Sequence, residues 1–286
     1  MGPESYRRGA GRSSACVGRP WYESDAVRDR RWDFLYDRQR QPVKAYVLER
    51  FAEELAEELR AWPPPFDTDL DARAGLGIQL VDGIARLARV DWRARGLEGF
   101  GKPDGFLERQ VDRWLAHLAR NDCRYLPGTE ATAAWLRDHI PSTYEPGIIH
   151  GDYQFANVMF AHGAPARLAA IVDWEMTTIG DPLLDLGWVT NGWPREGEDA
   201  SQRGYVDMVG MPPRGALLDH YERVSGRSTA DIDYYEILAR FKLAIVLEAQ
   251  YARYKSGGAD NPKMEAFGPI TIDLMSRAAG HAAAVG

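Results

Sequence analysis

The chain has 286 residues, 45% of them hydrophobic, and a formal charge of −7. That length is enough for a substantial core in one large domain or two modest ones, while the negative balance excludes a general nucleic-acid binder, whose affinity rests on Lys and Arg. Its cysteines, Cys16 and Cys123, make neither a disulfide framework nor a zinc site, and without a bilayer-length apolar run or a signal-peptide core the expectation is a soluble, cytoplasmic protein with no membrane partner.

Charge is uneven along the chain: residues 1–60 hold twelve Lys or Arg against eleven Asp or Glu, so residues 61–286 carry −8. Residues 1–42, with nine Arg, six acids and scattered Gly, Ser and Pro, show little periodicity and read as irregular. From 43 to 60, Val43, Tyr46, Val47, Phe51, Leu55 and Leu59 recur every three or four residues opposite Glu53, Glu54, Glu57 and Glu58, which predicts an amphipathic helix. Trp62-Pro63-Pro64-Pro65-Phe66 stops that helix, because consecutive prolines cannot continue it. A boundary therefore separates an N-terminal segment, 1–61, from a second unit, 62–286.

In that unit Leu80, Val81, Ile84, Leu87 and Ala88 mark one helix, Phe106, Leu107, Val111, Trp114, Leu115 and Leu118 another, and residues 131–139 a shorter one. Between the first two, Gly96-Leu97-Glu98-Gly99-Phe100-Gly101-Lys102-Pro103 has the spacing of a phosphate-binding P-loop through its lysine. Pro103 has no hydroxyl for magnesium, and the segment follows a helix where a P-loop follows a strand, so it reads as a glycine-rich connection that could bring Lys102 near a substrate mouth. Ile148 and Ile149 lead into a loop at 150–157; 158–160 and 168–172 read as paired strands turned by His162-Gly163. Helices return near Leu183, Leu217 and Asp231, the last running to about Tyr254 with Tyr235, Leu238, Phe241, Ile245 and Tyr251 inward. The expected fold class is α+β: a mostly helical lobe carrying a small catalytic β-hairpin.

The chemistry concentrates at His150-Gly151-Asp152-Tyr153-Gln154-Phe155-Ala156-Asn157 and Ile171-Val172-Asp173-Trp174-Glu175. An isolated acid, an amide five residues on and a second acid after a strand suit phosphoryl transfer from a magnesium nucleotide. That reaction needs an oriented acceptor hydroxyl and metal ions on the phosphates, and little covalent chemistry from the protein. A loop carboxylate can accept the hydroxyl proton, an Asn carbonyl is a hard neutral ligand, and a second carboxylate can hold magnesium. Asp152, Asn157 and Asp173 take those roles in that order. Gly151 leaves room for close approach, His150 reads as a histidine that hydrogen-bonds the loop, and Glu175, two residues past Asp173, would share its face on a strand.

The string HGDYQFAN followed by IVDWEMTTIGDPLLDLGW resembles the aminoglycoside phosphotransferase and choline kinase family, within it the broad bacterial phosphotransferases and the kinase-like domains attached to some acyl-CoA dehydrogenases. The likeness runs from about Trp62 to the end. It implies a protein kinase-like fold, ATP and Mg2+ as cofactors, Asp152 as the catalytic acid-base residue, Asn157 and Asp173 as magnesium ligands, and Asp185 of Gly180-Asp181-Pro182-Leu183-Leu184-Asp185 as a brace for the catalytic loop. Relatives often carry a basic or polar residue at Gln154 and an acidic or small one at Ala156. The acceptor implied is a hydroxyl on a small molecule, a hydroxylated metabolite or a hydroxyacyl compound, with Trp188, Trp193, Tyr221, Tyr234 and Tyr235 as candidate walls and Glu196, Glu198 and Asp199 either as an acidic wall or as a solvated loop.

Such an enzyme needs an N-terminal lobe with a glycine-rich loop and a lysine paired to a helix glutamate. Residues 1–61 show no glycine-rich strand-turn-strand, and their lone lysine, Lys44 before the Glu-rich helix, imitates that pair only faintly. The N-terminal lobe is expected to be reduced or atypical. Three readings follow: an active ATP-dependent small-molecule kinase, a catalytically impaired or partner-dependent binding module completed by a homodimer mate or another chain, and a metal-dependent phosphohydrolase using water.

Overall fold

The structure, a computed structural model, describes residues 62–121, 123–195, 206–258 and 262–286. The irregular stretch at 1–42, the helix at 43–60 with Lys44, the boundary after 61 and the acids Glu196, Glu198 and Asp199 lie outside the described residues.

The Asp69 carboxylate accepts a hydrogen bond from the Ala72 amide at 2.9 Å, capping helix α1, Leu70–Leu87. Apolar spacing marked only the second half of α1, since Gly75 and Gly77 dilute the pattern in the first. Helices α2, Gln110–Arg120, and α3, Thr129–Asp138, follow; Phe106 and Leu107 belong to the turn before α2 and are buried. The glycine-rich segment 96–103 is a run of turns in which Gly101 lies against Ile179 and Thr178, and it opens no helix.

Among the described residues, four short strands form two antiparallel pairs. Strands β2, Val158–Phe160, and β3, Leu168–Ile171, are the hairpin expected from sequence, with Val158 opposite Ile171. Strands β1, Gly147–Ile149, and β4, Thr178–Gly180, pair across the whole segment 150–177, Ile149 opposite Thr178. This second pair was not foreseen, because three-residue strands separated by the hairpin carry no period of their own. Its consequence is that the chain enters the 150–157 loop and leaves the 173–177 turn side by side.

Helices α4, Leu183–Thr190, α5, Arg214–Ser225, α6, Ile232–Lys255, and α7, Phe267–Val285, complete the lobe. The sequence reading stopped at Tyr254 and missed α7. Its Gly268 and Pro269 look like breakers, yet they stand in the first turn, where amides have no intrahelical acceptor and proline costs nothing. Helix α6 is buried nearly all round, as a helix at the centre of a lobe must be. At Gly187, α4 crosses it so closely that a Cβ would sit 2.6 Å from the Tyr235 backbone. Among the described residues no helix is long and apolar enough to cross a membrane.

Helix α6 also carries four buried charges, each with partners. Glu236 pairs with Arg195 and Arg214, Glu248 with Arg124 and the Thr271 hydroxyl, Arg240 donates to His281, and Lys242 donates to the 150–157 loop. Asp233, Glu236 and His281 have their ligand atoms within 4.8 Å of one another, the composition of a metal site. Three guanidiniums already serve this cluster, so its charge is balanced by arginine. His281 Nδ1 accepts from Arg240 at 2.9 Å, which puts its proton on Nε2, 2.9 Å from Asp233, and ties α7 to α6. The His281 hydrogen bond, with Arg195 beside it, holds the Asp233 carboxyl well below its ordinary value of 3.8. A depressed carboxyl contributes stability that is present above 3.8 and lost as pH falls further. Asp233→Asn is therefore expected to lower the thermal midpoint at pH 7, with the gap to the parent closing in scans carried into strong acid.

Candidate active site

The loop 150–157 starts where β1 ends, and its first two peptides are fixed by one buried carboxylate. Asp185, on α4, accepts the His150 amide at 2.6 Å and the Gly151 amide at 2.8 Å. Burial pushes the Asp185 carboxyl up, against the lowering by His150, those two amides and Lys242. Gly151 has φ +89, and a Cβ there would meet the Met176 carbonyl oxygen at 2.5 Å. Only glycine fits, both for its left-handed backbone and for the crossing of the two segments.

His150 joins the segments from the other side. Its Nε2–H donates to the Val172 carbonyl at 2.8 Å, and Nδ1 accepts the Asp152 amide at 3.3 Å, so both ring nitrogens are used within the protein. The Trp174 ring lies 5.0 Å from the imidazole and donates to the Ile171 carbonyl at 2.9 Å. Tyr153, wholly buried, ties the loop to α1 through the Leu80 carbonyl at 2.8 Å.

Asp152 is partly exposed, and its carboxylate is oriented from two directions: Gln154 donates to Oδ1 at 3.0 Å and Asn157 Nδ2 to Oδ2 at 3.0 Å. Asn157 also donates to the Asp152 carbonyl at 2.7 Å. Burial raises the Asp152 pKa, opposed by the Asn157 hydrogen bond, Lys242 and His150, with Asp173 raising it slightly further. A carboxylate shifted this way is a stronger base than one in water.

The Val172 amide donates to the Asn157 carbonyl at 2.9 Å, so the ladder of the hairpin sets Asp173 beside Asn157. Asp173 has φ 65, the sole non-glycine residue with positive φ among the described residues. That conformation is uncommon and costs energy, and such outliers cluster at functional sites. Glu175 departs from expectation. The strand ends at Ile171, and residues Trp174–Met176 form a 3₁₀ turn with Glu175 exposed, so it does not share a strand face with Asp173.

Other expectations also need correction. Tyr221, Tyr234 and Tyr235 are buried core residues, with Tyr235 donating to Asp181, so none is an open pocket wall. Trp193 is buried as well, stacked on Phe155, whereas Trp188 is half-buried. Lys102 is exposed, on the glycine-rich connection.

Sequence reasoning missed Lys242. Its ammonium donates to the Gly151 carbonyl at 2.6 Å and lies 4.7 Å from the Trp188 ring. A signal existed: a lysine within a long, mostly apolar helix must find a partner in the interior. Burial brings its pKa down to about 8, opposed by Asp185 and Asp152.

Fold and site together have a kinase-like form: a helical lobe that presents a His-Gly-Asp loop and a second acid just after a short hairpin. The model of the phosphotransferase enzyme family matches residues 65–226, more than half of the chain, and the chain belongs to that family. Similar curated proteins are acyl-CoA dehydrogenase family member 11 of Gallus gallus, 30% identical over 69% of this chain and 26% of its own length, and its Homo sapiens counterpart, 30% identical over 71% and 26%. The chain thus spans about a quarter of the length of these relatives. Among solved structures, a protein from Ralstonia eutropha assigned as an aminoglycoside phosphotransferase superposes with a TM-score of 0.68 at 27% identity, covering 77% of this chain and 68% of that one.

The brace on the loop has a measurable value. Losing a buried acceptor of two amides costs about 3 kcal/mol, and Asp185→Ala is expected to lower the urea-unfolding free energy by about that much. Gly151→Ala is expected to cost about 2 kcal/mol through its backbone conformation alone. An unchanged denaturation midpoint in either variant would contradict the described geometry.

Proposed function

We propose that the chain transfers the terminal phosphoryl group of magnesium-ATP to a hydroxyl of a small molecule. The observation that carries this reading is the Asp152 carboxylate, held by Gln154 and Asn157 and made more basic by burial, beside the strained Asp173.

Asp152 orients the acceptor hydroxyl and takes its proton as the new phosphorus–oxygen bond forms and the bond from the terminal phosphorus to the bridging oxygen breaks, releasing ADP. Asn157 spends its amide N–H groups on Asp152, so its side-chain carbonyl oxygen is the atom it could offer a metal. One amide oxygen and one carboxylate are the hard oxygen donors that suit magnesium, so the residues present fit that ion. When bound, magnesium neutralises charge on the phosphates. His150, Gly151 and Asp185 keep the loop fixed and touch no substrate in this scheme; Glu175 stands at the exposed turn, where its contact with the metal would run through water. The kinship with acyl-CoA dehydrogenase family members makes hydroxyacyl compounds the first acceptors to screen, followed by aminoglycosides.

Thermal midpoints with and without magnesium-ATP test this reading, since a ligand at a hundred times its Kd adds about 2.7 kcal/mol to stability. A magnesium-dependent rise is expected in the parent and in Asp152→Ala, and its loss in Asp173→Ala. Turnover with a screened acceptor should drop at least about 100-fold in Asp152→Ala, the scale of a lost general base. Small and equal effects of the two substitutions would sink the mechanism. No rise at millimolar nucleotide would favour the binding module completed by another chain, and turnover without any acceptor would favour the phosphohydrolase.

A further inference from the structure

The peptide between Gly151 and Asp152 sets the direction in which the Asp152 side chain leaves the backbone, and both of its polar atoms are taken. Its N–H donates to His150 Nδ1 at 3.3 Å, and its carbonyl oxygen accepts from Lys242 Nζ at 2.6 Å. The preceding peptide is gripped as well, its N–H held by Asp185 at 2.8 Å. Gly151 thus lies between two buried charges of opposite sign, each on the pole of the backbone that it attracts. Lys242 reaches it from α6, 91 residues away, between the rings of Trp188 at 4.7 Å and Trp114 at 5.6 Å.

A neutral donor would satisfy a carbonyl at far lower desolvation cost than a wholly buried ammonium. The ammonium that makes this hydrogen bond also has two carboxylates as charged neighbours. Two carboxylates, Asp185 and Asp152, are the groups whose ionised forms it supports. One is the brace of the loop, the other the base.

We propose that Lys242 is a positioning residue of the transfer reaction: through the Gly151 carbonyl its ammonium fixes the peptide that aims the Asp152 carboxylate at the acceptor hydroxyl. Lys242 itself is buried and touches no substrate, so its effect falls on turnover rather than on nucleotide affinity. The inference rests on the phosphotransferase reading above, and its test separates the two.

In the full chain, Lys242→Met fills the slot without a donor, and Lys242→Gln restores a donor without the charge. Amide hydrogen exchange of the loop peptide, residues 148–158, is compared with that of α1 and α3, alongside ATP turnover with the acceptor found for the parent. The Met variant is expected to exchange its loop amides at least about tenfold faster while α1 and α3 stay unchanged, and its kcat should fall about 100-fold, the usual cost of a misplaced reacting group. Its KM for ATP should move less than about threefold, and the Gln variant should recover part of both losses. Unchanged loop exchange in both variants, or a loosened loop with full kcat, overturns the proposal. If the Met variant does not fold, Lys242→Ala, which also lacks a donor, is judged on the same criteria. A parent that neither binds nor consumes magnesium-ATP overturns the phosphotransferase reading instead, and the exchange comparison still decides whether Lys242 holds the loop.

Discussion

A buried carboxylate is tolerable only where hydrogen-bond donors meet it, and Asp185 meets two successive backbone amides, those of His150 and Gly151. Almost everything else at the site depends on that grip. It turns the chain sharply after β1, and the turn requires a left-handed glycine. The glycine lets Met176 pass within contact distance, and that crossing lays the 173–177 turn against the loop. His150 then closes the arrangement by donating to Val172. Asp152 and Asp173 reach each other's neighbourhood through backbone geometry, with no direct bond between their side chains needed to hold them there.

The second support comes from α6. A central helix is usually an apolar plug, and this one is apolar on most of its surface. Its buried charged residues run to three neighbours: Glu236 to the arginines after α4 and at the start of α5, Arg240 and Glu248 to α7, Lys242 to the loop. Buried pairs of this kind contribute little net stability compared with apolar replacements, but they tolerate only one arrangement of their partners. The helix thus ties the loop to the rest of the lobe, which is what a reaction depending on positioning requires of its scaffold.

How much of this could be read from sequence divides by distance along the chain. The spacing of Asp152 and Asn157 and the β2–β3 hairpin are local, and local patterns show. Helices α2, α3 and α6 were legible from their apolar periodicity, with ends displaced by a few residues. The β1–β4 pair was not, because each strand has three residues and its partner lies beyond the hairpin. Helix α7 was hidden by Gly268 and Pro269, whose position in a first turn cannot be known until the helix is seen. Tyr221, Tyr234 and Tyr235 were misplaced for a related reason: an aromatic residue near a motif fits a pocket wall or a core equally well, and only the crossing of α4 and α6 decides. Lys242 lies 91 residues from the carbonyl that it serves.

The distribution of shifted acids shows where the lobe gives up stability and where it recovers it. Asp152 and Asp185 are raised by burial, so the native state binds their protons more tightly than the unfolded chain, and ionising them at neutral pH works against folding. Asp233 is shifted the other way and favours the native state once ionised. The two groups therefore respond to acid with opposite signs: the site is relieved as its carboxylates protonate, while the tie between α6 and α7 weakens. A lobe held elsewhere by favourable ionisation can keep a strained, partly desolvated loop, and a carboxylate in that loop is a better proton acceptor because the fold disfavours its charge.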